Sequence, residues 1–221
     1  MRHPCWDVPA PEEAFALAAD LKRCEAATSR LLSELPLEPV WAERLRGRYG
    51  NARLPYHGAA HVGLLWLRHI AHGGAADDLG IALAIMFHDA VYEPEQADNE
   101  VRSADLLLQA APGCEEAGWA AQAIRATADH AGYSGGDRRV MRLLDLDLTP
   151  LAERPEIFDR NLADLQAEVG ASRCAAWTQR QRVLLARFLE RGRLFRSELG
   201  EVYEGSARHN LERFCRGGAS A

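Results

Sequence analysis

Residues 79–92 read LGIALAIMFHDAVY, and the first nine of them carry no polar side chain. A helix apolar almost all round has no face to give to water, so this one belongs at the centre of a helical bundle. Asp77 or Asp78 can cap its start, and Pro94 closes the run. Working outward, the upstream stretch AAHVGLLWLRHIAH (59–72) has helical spacing until Gly73 and Gly74 stop it. The segment GNARLPYHG before it is a loop by its Gly, Asn and Pro content. Downstream, Asp98 can cap a helix through Leu108, and another is expected from about Glu115 to His130. Gly132, Gly135 and Gly136 then form a loop before Asp137 starts RRVMRLLDLDL.

The flanks are helical too. Pro11, Glu12 and Glu13 read as the first turn of a helix that continues through Phe15, Leu17 and Leu21 to Leu32, ending before Pro36 and Pro39. A short helix covers Trp41 to Tyr49, and three longer ones fill residues 155 to 215. No run alternates Val, Ile, Thr and aromatic residues as a half-buried strand would, so the expected class is all-α. There is no internal repeat or low-complexity linker, and one domain over 1–221 is the simplest organisation.

Composition narrows the function. Of 221 residues, 48% are apolar and 26% charged, which excludes a disordered or fibrous chain. Twenty-six basic against thirty-two acidic side chains give a net charge of −6, so the protein as a whole repels nucleic acid and anionic membrane surfaces. The cysteines, Cys5, Cys24, Cys114, Cys174 and Cys215, are scattered and never paired at two-residue spacing. That pattern fits reduced thiols better than a disulfide framework or a zinc knuckle. With no run of about 18 apolar residues and no signal-like N-terminus, a cytoplasmic protein is expected.

His88 and Asp89 are the most informative residues, because a carboxylate buried without a partner costs several kcal/mol and this pair sits inside the most apolar helix. A metal ion would supply the compensating charge; a self-satisfied His–Asp hydrogen bond is the bland alternative. Tyr56-His57 is followed four residues later by His61, and two helical positions four apart lie about 40° from each other on one face. In LLDLDL two acids compete. Measured from Val140 at about 100° per residue, Asp147 shares the face of Leu143 and Leu144, whereas Asp145 lies about 140° away and is expected at solvent.

His61, the His88–Asp89 pair and Asp147, in that order, resemble the ligand set of the HD superfamily of metal-dependent phosphohydrolases. More closely, RLPYHGAAHV, FHDAVYEPEQADNEVRSA, IRATADH, LLDLDL and EGSARHNL resemble a small bacterial group of predicted HD phosphohydrolases, over about residues 41 to 215. The chain departs from that group at Gly58, where it usually carries Asn, and around Gln166 and Val169, where Tyr and Arg are expected. The resemblance implies an HD-like bundle over about 41–150 with a helical extension over about 155–215. It also implies His61, His88, Asp89 and Asp147 as ligands of a divalent ion.

Mixed nitrogen and carboxylate ligands suit Mn, Fe, Co, Ni or Zn, and such an ion supports hydrolysis of a phosphate ester or anhydride. The expected substrate is a small phosphorylated molecule of the nucleotide class. Around the ion, Arg53 and His57 lie on the preceding loop, placed to bind phosphate oxygens, and Asn99 and Ser103 border the site by resemblance. Asp89 would assist catalysis, and Glu100 is a candidate general acid or base, although a carboxylate in a first helical turn also suits the helix dipole. His130 is the one candidate ligand for a second ion, and it equally fits a helix C-terminus. His69 and His72 end a helix, and His3 and His209 have no nearby partner. Two other readings stay open: a non-catalytic metal- or nucleotide-sensing module, and an HD-fold di-iron oxygenase.

Overall fold

The computed structural model describes residues 6–94 and 96–217. Cys5 and His3 therefore lie outside the described residues. The protein is all-α, with no strand among the described residues. Among the described residues ten α-helices follow in order: α1 Leu21–Glu34, α2 Pro39–Tyr49, α3 Ala59–Ala71, α4 Leu79–Phe87, α5 Asn99–Ala110, α6 Ala117–Ala126, α7 Arg138–Leu148, α8 Pro155–Val169, α9 Cys174–Leu189 and α10 Gly200–Arg216. No helix among the described residues is long and apolar enough to cross a membrane.

α4 is the hub. All of Gly80–Phe87 is buried, and α1, α3, α5, α6 and α7 pack around it. Asp78 caps it by accepting a hydrogen bond from the Ile81 N–H at 3.0 Å. The helix is shorter than its apolar run suggests. It stops at Phe87, so His88 and Asp89 stand on the turn beyond its C-terminus rather than within it. Tyr49 at the end of α2 holds that turn by donating to the Met86 carbonyl at 2.6 Å.

α3 crosses α1 closely enough that a Cβ on Gly63 would come within 1.8 Å of the Cys24 carbonyl oxygen, so only glycine fits there. Thr28 on α1 donates to the Ala59 carbonyl at 2.5 Å and fixes the first turn of α3. Gly73, at φ 75°, ends that helix in the left-handed region. The N-terminal expectation needs correcting. Residues 11–20 form two short 3₁₀ turns instead of helix, and the continuous helix starts only at Leu21, where the Asp20 carboxylate accepts from the Arg23 N–H at 3.0 Å. Burial of Ala14, Leu17 and Ala18 in the tighter geometry outweighs the helical spacing that those positions also satisfy.

The C-terminal helices are tied to the rest through buried polar contacts. Arg68 on α3 and Glu153 before α8 have fully buried side chains and pair at 2.5 Å; Arg68 also donates to Thr149 Oγ1 at 3.0 Å. Asn210 on α10 donates to the carbonyls of Leu151 and Glu153 at 2.9 and 2.7 Å. Tyr203 OH lies 2.9 Å from His72 Nε2. Cys24, Cys114, Cys174 and Cys215 are free thiols.

Candidate metal centre

Three elements converge beneath Tyr56. The first turn of α3 presents His61, the turn after α4 presents His88 and Asp89, and the last turn of α7 presents Asp147. His61 Nε2 and His88 Nε2 are 3.2 Å apart. Asp89 Oδ2 lies 2.9 Å from His88 Nε2 and 3.7 Å from His61 Nε2. Together His61, His88 and Asp89 offer one atom each within 4.8 Å of one another, a spacing that could hold a metal ion. Asp147 is not among those three but lies near both histidines, its Oδ1 3.3 Å from His61 Nε2 and 3.7 Å from His88 Nε2. Both histidines are buried, whereas the two carboxylates keep 18–19% of their side-chain surface exposed, so solvent reaches one side of the cluster.

The donor chemistry fits a cation. His88 Nδ1 lies 2.9 Å from the Ile85 carbonyl, which can only accept; the ring therefore carries its proton on Nδ1 and, when neutral, turns a lone pair on Nε2 toward the cluster. Without an ion, the carboxylates draw a proton to that Nε2 instead. Burial would lower the His88 pKa, but the Asp89 carboxylate overcomes it and the imidazole is pushed up to about 9. Burial would raise both carboxyls. Instead His88 and His57 hold Asp89 far below its ordinary value, and hydrogen bonds from His130 and His61 do the same for Asp147. Two carboxylates kept ionised beside facing imidazole nitrogens form a site that gains from added positive charge.

The surrounding residues divide by what they touch. His130 Nε2 meets Asp147 Oδ2 at 2.8 Å, the oxygen turned away from His61, so it orients the carboxylate. The His57 ring stacks on Tyr92 at 3.9 Å and stands edge-on to His61 at 6.2 Å. Tyr56 lies over His61 at 5.1 Å, and burial, then Asp147 and Asp89, push its hydroxyl well above the ordinary pKa, keeping it a donor. Asn99 and Ser103 are buried, and their polar atoms are already engaged. Asn99 accepts from the Glu93 N–H and donates to the carbonyls of Glu93 and Gln96, while Ser103 bonds the N–H and carbonyl of Val91. They shape the loop after His88–Asp89. Glu100 is partly buried, with no hydrogen-bond or ion-pair partner among the described residues. Arg53 is exposed, and among the described residues only its backbone N–H is engaged, by Asn51 Oδ1 at 3.1 Å.

The solvent-facing expectation for Asp145 is wrong. Its residue is 1% exposed, and its Oδ2 accepts from the N–H groups of Arg196 and Ser197 at 2.8 and 2.5 Å. It does sit off the Asp147 face, but the chain before α10 covers that side of α7.

Two contributors carry no local mark in the sequence. Arg48 on α2 donates to the Asp89 carbonyl at 2.9 Å and reaches the His57 carbonyl at 3.5 Å, bracing both loops. Glu168, near the end of α8, has a fully buried side chain and receives His57 Nδ1 at 2.5 Å together with the N–H groups of Tyr56 and His57. Beside His61 and Tyr56 opens a cavity of about 270 Å³ whose far wall is Arg160, Asn161 and Asp164 of α8. The chain matches no protein-family model, no curated protein and no solved structure closely enough to carry an inference.

Proposed function

We propose that the protein is a metal-dependent phosphohydrolase of the HD type, acting on a small phosphorylated molecule, with a nucleotide the favoured class. The observation that carries this reading is the convergence of His61, His88 and Asp89 within 4.8 Å, with Asp147 3.3 Å from His61 Nε2. In this reading those four residues would hold one divalent transition ion, and with four protein donors only an ion that accepts five or six donors would keep room for water and substrate. That favours Mn, Fe, Co or Ni over a closed tetrahedral zinc. Such an ion supplies Lewis acidity, acidifying a water and polarising a phosphoryl oxygen.

The chain's own residues do the rest. Asp89 and Asp147 keep their charge in the partly dry site, and His130 fixes the Asp147 carboxylate. Tyr56 offers a hydroxyl donor beside His61, and His57, on the same loop, stands edge-on to His61. Arg53 and Glu100 have side chains free to meet substrate, whereas Asn99 and Ser103 act through the shape of the 91–96 loop. The cavity beside His61 has room for the body of a small substrate, and Arg160, Asn161 and Asp164 give its lining polar groups. One ion rather than two is favoured, because Asp147 Oδ2 already binds His130.

The test is phosphate release from p-nitrophenyl phosphate and a panel of nucleotides by the full chain with Mn, Co or Ni, beside the Asp89→Asn variant. Metal-dependent release that Asp89→Asn abolishes supports the proposal. A metal-loaded wild type that binds nucleotides without releasing phosphate would make it a sensing module.

A further inference from the structure

We propose that Glu168 is a positioning residue of this site: its carboxylate keeps the His57 proton on Nδ1, so that the ring, once neutral, presents Nε2 as a hydrogen-bond acceptor for the attacking water. The step served rests on the phosphohydrolase reading above; the tautomer does not. Glu168 Oε1 lies 2.8 Å from Tyr56 N and 2.9 Å from His57 N, and backbone N–H groups can only donate. The other oxygen, Oε2, lies 2.5 Å from His57 Nδ1. A carboxylate oxygen accepts, so the proton between them belongs to Nδ1. Tyr92 stacked on one face fixes the plane of the ring, and Arg48 reaches its carbonyl. Nδ1 is therefore occupied, and Nε2 is the one ring nitrogen left for substrate.

A clamp that merely tied α8 to the Tyr56–His57 loop would need only the two bonds to Oε1. The second oxygen adds a choice of tautomer, as a carboxylate behind a histidine does in hydrolytic triads. Replacement by the isosteric amide separates the two functions. In Glu168→Gln the carbonyl oxygen must still face the two backbone N–H groups, because the reversed amide would set donors against donors in a fully buried place. The NH₂ group then faces Nδ1, which has to accept, and the ring proton moves to Nε2. The loop stays anchored, but the nitrogen offered to the water becomes a donor.

The first readout needs no turnover: long-range ¹H–¹⁵N correlation on the full chain with ¹⁵N-labelled histidine, at a fixed alkaline pH, the His57 signals being those lost in His57→Gln. Wild type is expected as Nδ1–H and Glu168→Gln as Nε2–H. An Nε2–H wild type, or one tautomer shared by both proteins, overturns the proposal. The second readout is turnover of p-nitrophenyl phosphate with Mn. Glu168→Gln is expected to lower kcat at least about tenfold with KM within about threefold, and to add less than about twofold in a His57→Gln background. Equal losses in both backgrounds would make Glu168 a structural clamp and overturn the proposal. A wild type without turnover would instead refute the phosphohydrolase reading, while the tautomer measurement still decides whether Glu168 positions His57.

Discussion

Replacing Arg68 by Met, Glu153 by Leu, and then both together tests how the C-terminal helices are held. The two charged side chains are wholly buried and 2.5 Å apart, and Arg68 also donates to Thr149 Oγ1 at 3.0 Å and to the Ala14 carbonyl at 3.3 Å. Its guanidinium lies 5.2 Å from the centre of the Tyr203 ring. Removing one partner strands the other charge without water, which costs about 3–5 kcal/mol. That is a large fraction of the 5–15 kcal/mol by which domains are typically stable. The pair itself contributes less than its geometry suggests: burial raises the Glu153 pKa despite Arg68 beside it, and Glu153 Oε2 is buried with no hydrogen-bond partner. The double variant should therefore be more stable than either single one, by at least about 1 kcal/mol. Urea unfolding followed by far-UV circular dichroism reads all three differences at constant m-value. Single variants within about 1 kcal/mol of wild type, or losses that simply add in the double variant, would refute the reasoning.

Other expectations concern the neighbours of the site. Burial, then Arg142, lowers the His69 pKa from 6.5 to about 4. The unfolded chain thus takes up a proton that the folded one refuses: stability is full above about pH 6.5 and falls toward pH 4, by at most about 3 kcal/mol. His69→Gln should flatten that slope in denaturant titrations, and an unchanged slope would assign it elsewhere. Asp145→Ala leaves two N–H groups without an acceptor and should lose about 2–4 kcal/mol while keeping any bound metal. Asp147→Ala should show the reverse, and metal loss confined to the Asp145 variant would exchange the two roles. Burial pushes the Cys24 thiol up to about 11, so iodoacetamide should label it only after unfolding, as mass spectrometry of native and denatured protein would show.

What the sequence reveals follows the range of the forces involved. The apolar run Leu79–Phe87 announces a central helix because its surroundings must be protein on every side, and Asp78 and Asp137 are readable as caps because they bond N–H groups two or three residues away. The class of the fold is legible in that way, whereas His61, His88, Asp89 and Asp147 are picked out as a set by the family resemblance. Asp145 is not, because helical geometry gives the face of α7 it occupies but not that Arg196 and Ser197, about fifty residues later, cover it. Glu168 is hidden for the same reason: its partners Tyr56 and His57 lie more than a hundred residues earlier, and α8 presents it as one acid among several. Asn99 and Ser103 are expected beside the site from their sequence neighbourhood. Only the structure shows that their hydrogen bonds go to the loop backbone.

The central claim is that four side chains from three elements form one metal centre. Elemental analysis of the purified full chain, beside His61→Ala, His88→Ala, Asp89→Ala and Asp147→Ala with folding verified by circular dichroism, tests it most directly. The account predicts about one transition ion per wild-type chain and its loss from each folded variant. A wild type that takes up no ion from Mn, Co, Ni or Zn solutions, or variants that retain it in full, would contradict it.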